Sequence, residues 1–192
     1  GGGAFHCVHM SEHDLDLFKE KHLNIVTNPA SNLKLASGIA PIQAMLQRKI
    51  NICLGTDGPA SNNCLDMFRE MFLVTGLAKY KNCDASAVDA YKVLNMATIN
   101  GAKLLQLDNK IGSIEVGKDA DIILVNLEEK LDNITMLPNL NKIANLVYNT
   151  SGRSVDTTIV KGNILMENRQ IKNVDVNEVI MKCNKILERH LS

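Results

Sequence analysis

The sequence predicts an α/β fold: a parallel sheet with covering helices, then a small separate β-structure and a terminal helix. Three observations carry this. Short apolar strand patterns alternate with helical ones up to about residue 80, and crossovers of that kind return the chain to the same end of a sheet. From about residue 111 to 167, glycine-punctuated strand patterns take over. The last stretch then carries Val176, Val179, Ile180, Cys183, Ile186 and Leu187 at helical spacing.

The first strand pattern runs from Ala4 to Val8 and leads into a helix opening at Ser11. Ser11 and Asp14 have the spacing of a capping box, with Asp in place of the usual Glu. Leu15 and Phe18 supply the face that helix buries. The second pattern comprises a strand over Asn24 to Thr27, a long polar loop over 28–38 and a helix from Pro41 to Arg48. Proline suits a first helical position because its angle is fixed and its missing donor is not needed there. The third runs from a strand at Ile50 to Leu54, through the loop GTDGPASNN (55–63), into a helix. On that helix Leu65, Phe68 and Phe72 form one stripe, widened by Met67, Met71 and Val74, as expected of a helix lying on a sheet. These methionines, and Met96, read as core. Three such units are too few to close a barrel, which needs eight in roughly 250 residues. The sequence therefore reads as beginning in the middle of something larger.

Beyond residue 80 the rhythm changes. Ser86 with Asp89 predicts the cap of a helix reaching Met96, and a second helical stretch spans Asn100 to Leu105. Strands follow at 121–126, 155–160 and 163–167, with Lys161-Gly162-Asn163 as a hairpin turn. The expected division is 1–108 for the sheet and its helices, 109–173 for the small β-structure, and 174–192 for the terminal helix.

Composition narrows the function. Lysine plus arginine equals aspartate plus glutamate at 21 each, so no basic field exists to attract a nucleic acid or an anionic membrane. No apolar run approaches the roughly 20 residues of a bilayer span. Gly1-Gly2-Gly3-Ala4-Phe5 lacks the positive end and apolar core of a signal peptide and looks like a cut edge or a linker scar. The five scattered cysteines form no C-x-x-C pair, which argues against a disulfide framework or a zinc knuckle and for a cytoplasmic setting.

In a parallel α/β sheet, reactive residues sit where strands end and loops begin. His6 ends the first strand, Asp57 follows the third, and the second loop places Asn28, Ser31, Asn32 and Ser37 at the same edge. A histidine, an aspartate and a polar loop on one rim suit hydrolysis or metal binding. Each also has a plain structural use, the aspartate before glycine as a turn former, and spacing alone does not decide between them.

The segments AFHCVH, NPASNLKLASGIAP, LGTDGPASNN, ATINGAKLL and IGSIEVGKDADIILV, in that order, closely resemble the amidohydrolase superfamily. Within it they are similar to the 5-methylthioadenosine/S-adenosylhomocysteine deaminase group and its triazine chlorohydrolase relatives. The resemblance implies that the chain is the C-terminal part, about strands six to eight, of a distorted (β/α)8 barrel, joined to part of a small β-domain. It also implies one divalent metal, usually zinc. His6 would match the histidine that hydrogen-bonds the attacking water. Asp57 would match the aspartate that binds the metal and accepts the water's proton. Asn28, Ser31, Asn32, Ser61 and Asn62 are candidate substrate contacts.

The family's H-x-H, its further metal histidine and its proton-shuttling glutamate would lie upstream. His9-x-x-Glu12 imitates that H-x-x-E spacing but belongs to the start of a helix. Thr27 stands where relatives often have histidine, and Pro59 where alanine is usual. The implied activity is hydrolytic deamination of an adenine-containing small molecule by the full-length protein, with the chain alone inactive. The alternatives are a related heterocycle amidohydrolase or chlorohydrolase, and an inactive fragment with a structural role. The expected partners are an adenosine-like substrate, the N-terminal half of the barrel, and further copies in a homo-oligomer.

Overall fold

The computed structural model describes residues 2–127 and 142–191; the part of the 109–173 segment over 128–141 lies outside the described residues. Two compact units emerge, Gly1–Lys118 with Leu127–Ser154, and Asp119–Asn126 with Val155–Ser192.

The first unit is built on three parallel strands, β1 (Gly3–Phe5), β2 (Asn24–Thr27) and β3 (Asn51–Leu54), paired in the order β1-β2-β3. Ile25 and Ile52 are fully buried, and Val26, Cys53 and Leu54 nearly so. A strand covered on both faces carries apolar residues at consecutive positions, as Ile25-Val26 and Ile52-Cys53-Leu54 do. Between β1 and β2 runs α1 (Glu12–Glu20). Its capping box forms as the spacing predicts: the Asp14 amide donates to Ser11 Oγ at 3.2 Å, and the Ser11 amide donates to the Asp14 carboxylate at 2.9 Å.

The segment over 28–38 is not all loop. Its first half is a short helix, α2 (Pro29–Lys34), opened by proline and with Pro29, Ala30, Ser31 and Asn32 all buried. Polar residues on the buried side hide this helix from any apolar periodicity. Next come α3 (Ile42–Gln47), which starts one residue later than expected with Pro41 as its cap, and, after β3, the single turn α4 (Pro59–Asn62).

The long helix α5 (Met67–Asn82) lies on the sheet through Phe68, Met71, Val74, Thr75 and Ala78. Leu65, expected on its stripe, precedes the helix and is exposed, and Phe72 is half exposed. Asp66 sets that boundary by accepting from the Phe68 amide at 2.9 Å. Two further helices are α6 (Ala90–Met96) and α7 (Ile99–Leu104). Asp89 itself caps α6, accepting from the Lys92 amide, while Ser86 bonds to Asp84 instead of taking the capping role expected of it. Gly112 has a φ of +92°, and a Cβ there would lie 2.7 Å from that of Ala102, so the turn after α7 requires glycine.

In the second unit, β4 (Ile122–Val125) begins a second sheet. The first unit's remaining helix, α8 (Lys142–Tyr148), packs on α5 and α6 and buries Val147 completely. The antiparallel sheet continues with β5 (Val155–Val160), β6 (Asn163–Glu167) and a short β7 (Gln170–Ile171), in the order β4-β5-β6-β7. Lys161 and Gly162 both have positive φ, the backbone that a tight hairpin turn needs. Asp121 fixes this turn by accepting from the Lys161 amide at 2.8 Å. The chain ends in α9 (Val176–Leu191).

Candidate active site

The C-terminal edge of the parallel sheet gathers the residues singled out in the sequence. Beyond β1 the His6 amide extends the ladder to the Val26 carbonyl at 2.8 Å, and beyond β3 the Gly55 amide does the same to Thr27 at 3.0 Å. His6 and Asp57 thereby rise from the ends of β1 and β3, the two strands that flank β2. Both have left-handed backbone, with φ of +65° and +62°. Such angles are uncommon in residues other than glycine, though histidine and aspartate adopt them more readily than most, and they cluster at functional sites.

His6 Nε2 lies 3.8 Å from Asp57 Oδ2, with the histidine side chain 40% and the aspartate 27% exposed. That is too long for a direct hydrogen bond. His6 Nδ1 sits 2.8 Å from Asn32 Oδ1. An amide oxygen can only accept, so Nδ1 carries the proton, and in the neutral ring Nε2 is left as an acceptor. Asp57 is held from two sides: Ser31 Oγ donates to Oδ2 at 2.6 Å and the Gly58 amide to Oδ1 at 2.7 Å. The Ser31 bond, followed by that from Gly58 and with smaller help from Ser61 and His6, holds this carboxyl below the usual aspartate range.

The other candidates fall into place around this pair. Ser31 and Asn32, both buried on α2, are engaged by Asp57 and His6 and so orient the pair. Asn28 is buried at the start of that segment, its Oδ1 without a hydrogen-bond partner among the described residues. A Cβ at Gly55 would lie 3.1 Å from that oxygen, so a larger residue there would push the Asn28 side chain aside. Ser61 is partly buried beside Asp57, while Asn62 is buried and donates to the Thr56 carbonyl at 2.7 Å. Of the H-x-x-E mimic, Glu12 is engaged elsewhere, taken up with Asp16 in a surface ion-pair cluster on Arg48.

One residue of this layer was not singled out from the sequence. Glu70 of α5 is 0% exposed and accepts from the Ala30 amide at 3.0 Å and from Asn62 Nδ2 at 2.7 Å. An acidic residue inside the apolar stripe of a sheet-covering helix was the available signal.

The donor set bears on a metal. Among the described residues, no group of three or more His, Cys, Asp or Glu side chains is placed to hold one, and catalytic zinc takes three protein ligands. Among the described residues, no Lys or Arg forms an ion pair with Asp57, which lies at the rim, so it fits as one contributed ligand of a metal site.

The model of the amidohydrolase family matches residues 3–165. The chain belongs to the amidohydrolase family. It is 50% identical over 182 residues to a 5-methylthioadenosine/S-adenosylhomocysteine deaminase of Thermoanaerobacter pseudethanolicus, covering 95% of this chain and 41% of that protein. It is similar in structure to an adenosine deaminase from Xanthomonas campestris with bound zinc, at a TM-score of 0.92, 35% identity and coverage of 97% and 42% of the two chains. A zinc complex of atrazine chlorohydrolase from Arthrobacter aurescens shares the fold, at a TM-score of 0.86 and 22% identity over 95% and 40%. The chain thus spans about two fifths of the length of these relatives, and its parallel sheet and helices form part of an amidohydrolase barrel. Among the described residues, no helix is long and apolar enough to cross a membrane.

Proposed function

We propose that within the whole protein this chain supplies His6 and Asp57 to a metal-dependent site that hydrolytically deaminates an adenine-containing small molecule. The observation that carries this reading is the facing of His6 Nε2 and Asp57 Oδ2 across 3.8 Å at the strand ends. The deaminase names of its relatives supply the substrate class. The pairing of those two atoms, both acceptors, suits a reacting water that donates to each.

Asp57 would contribute a carboxylate oxygen to the metal, with ligands from outside this chain completing the set. When bound, the metal lowers the pKa of water toward neutrality. Asp57 takes the proton that the water gives up and passes it to the departing amine; Ser31 and Gly58 keep its carboxylate aimed. His6 steadies the water through Nε2 while Asn32 fixes the ring's tautomer. The water oxygen adds to the ring carbon bearing the exocyclic amine, and ammonia leaves.

The test is a substrate panel on the full-length zinc-loaded protein. Release of ammonia from 5-methylthioadenosine or S-adenosylhomocysteine, without chloride release from a chlorotriazine, supports the reading. Chloride release with no turnover of the nucleosides contradicts it.

A further inference from the structure

A buried carboxylate is costly unless donors meet it. Glu70 occupies a position on α5 between the core residues Phe68 and Met71, where an apolar side chain would pack without that cost. Burial pushes its carboxyl up from the ordinary glutamate value, and the bonds from Ala30 and Asn62 oppose the rise. Both partners are fixed as donors: one is a backbone amide, and the other is the Asn62 NH2 group, which also donates to the Thr56 carbonyl. The two donors belong to different segments. Ala30 lies in the first turn of α2, next to Ser31 and Asn32. Asn62 ends α4, the turn that follows Asp57 and Gly58.

We propose that Glu70 is a positioning residue: by accepting from Ala30 and Asn62 together it ties α2 to the Asp57 loop and sets the reach of Ser31 to Asp57 and of Asn32 to His6. The bracing stands on the geometry of this chain. Its effect on turnover rests on the reading of His6 and Asp57 given above.

Glu70→Gln tests it in the full-length zinc-loaded protein. Glutamine offers one acceptor oxygen where two donors point, so one contact is lost and an amide is set against a donor. Amide hydrogen exchange over residues 28–34 and 58–63 should rise about 10-fold in both segments while the rest of the sheet is unchanged. With 5-methylthioadenosine, kcat should fall roughly 10- to 100-fold, with KM nearly constant and zinc content kept. Combined with Ser31→Ala, the loss should be well below the product of the two single losses, because both act on the same carboxylate. Unchanged exchange in either segment, or multiplicative losses, would overturn the proposal.

Should Glu70→Gln not fold, Asn62→Ala cuts the link from one side only and should raise exchange over 58–63; no rise there would equally overturn it. The exchange readout needs no substrate. Raised exchange in a protein that deaminates nothing would support the brace while removing the deaminase reading.

Discussion

Ser31 Oγ donates to Asp57 Oδ2 at 2.6 Å, joining residues 26 positions apart in sequence and bridging α2 to the loop after β3. Ser31 is fully buried, so this hydroxyl has been taken out of water to serve the carboxylate. It is also the largest influence lowering the Asp57 pKa. A charged acceptor held by a buried hydroxyl keeps its direction without rearrangement during reaction.

Ser31→Ala should therefore raise the Asp57 pKa toward the ordinary carboxylate value, measured by carboxyl-carbon NMR on the metal-free protein. The consequence for stability has a definite sign. A carboxyl whose pKa is lowered by folding stabilises the fold above its unfolded pKa, and this is lost as pH falls through the folded value. The variant should show a flatter decline of stability on acidification than the parent. In turnover the loss should be about 10- to 100-fold in kcat, the range for a hydrogen bond to a charged group.

The strand ends were legible in the sequence because period and punctuation agreed there. Asn24 to Thr27 is a strand as read, and His6 and Asp57 lie at the same edge of the sheet, beyond β1 and β3. What the sequence hid was polar and buried. The helix α2 presents Ser31 and Asn32 to the interior, so no apolar stripe announces it, and Glu70 breaks the stripe on α5 for a reason visible only when Ala30 and Asn62 are beside it. Helix α8, in the sequence KIANLVY, packs on α5 and α6, far earlier in the chain, and buries Val147, a contact that local pattern does not encode. On the C-terminal side, β7 is two residues long, below what alternation can register.

Asp66 has two structural duties within the first unit. Besides capping α5 it accepts from the Gly152 amide at 2.9 Å, fastening the turn that precedes β5. Asp66→Ala should lower stability by about 1–3 kcal/mol, the loss of a cap together with an unpaired amide. Asp66→Asn keeps an acceptor and should lose less. Urea unfolding of the two variants checks this order.

The 192-residue chain by itself should associate. Phe5 is 66% exposed on β1, and among the described residues β1 and β3 each pair along one edge only. Val176, Val179, Ile180, Ile186 and Leu187 are each about half exposed along α9. Exposed apolar surface beside open strand edges drives self-pairing. Light scattering at increasing concentration should show rising mass, and a monodisperse monomer would count against this expectation.

The central claim is that Asp57 holds the metal and moves the proton while His6 acts on the water alone. Zinc content measured beside turnover in full-length Asp57→Asn and His6→Asn separates those roles. The account predicts that Asp57→Asn loses zinc and several orders of magnitude in kcat. His6→Asn should keep zinc and lose roughly 100- to 10,000-fold, the usual range for one positioned proton-handling group. Zinc lost from His6→Asn but kept by Asp57→Asn, or full turnover in both, would contradict it.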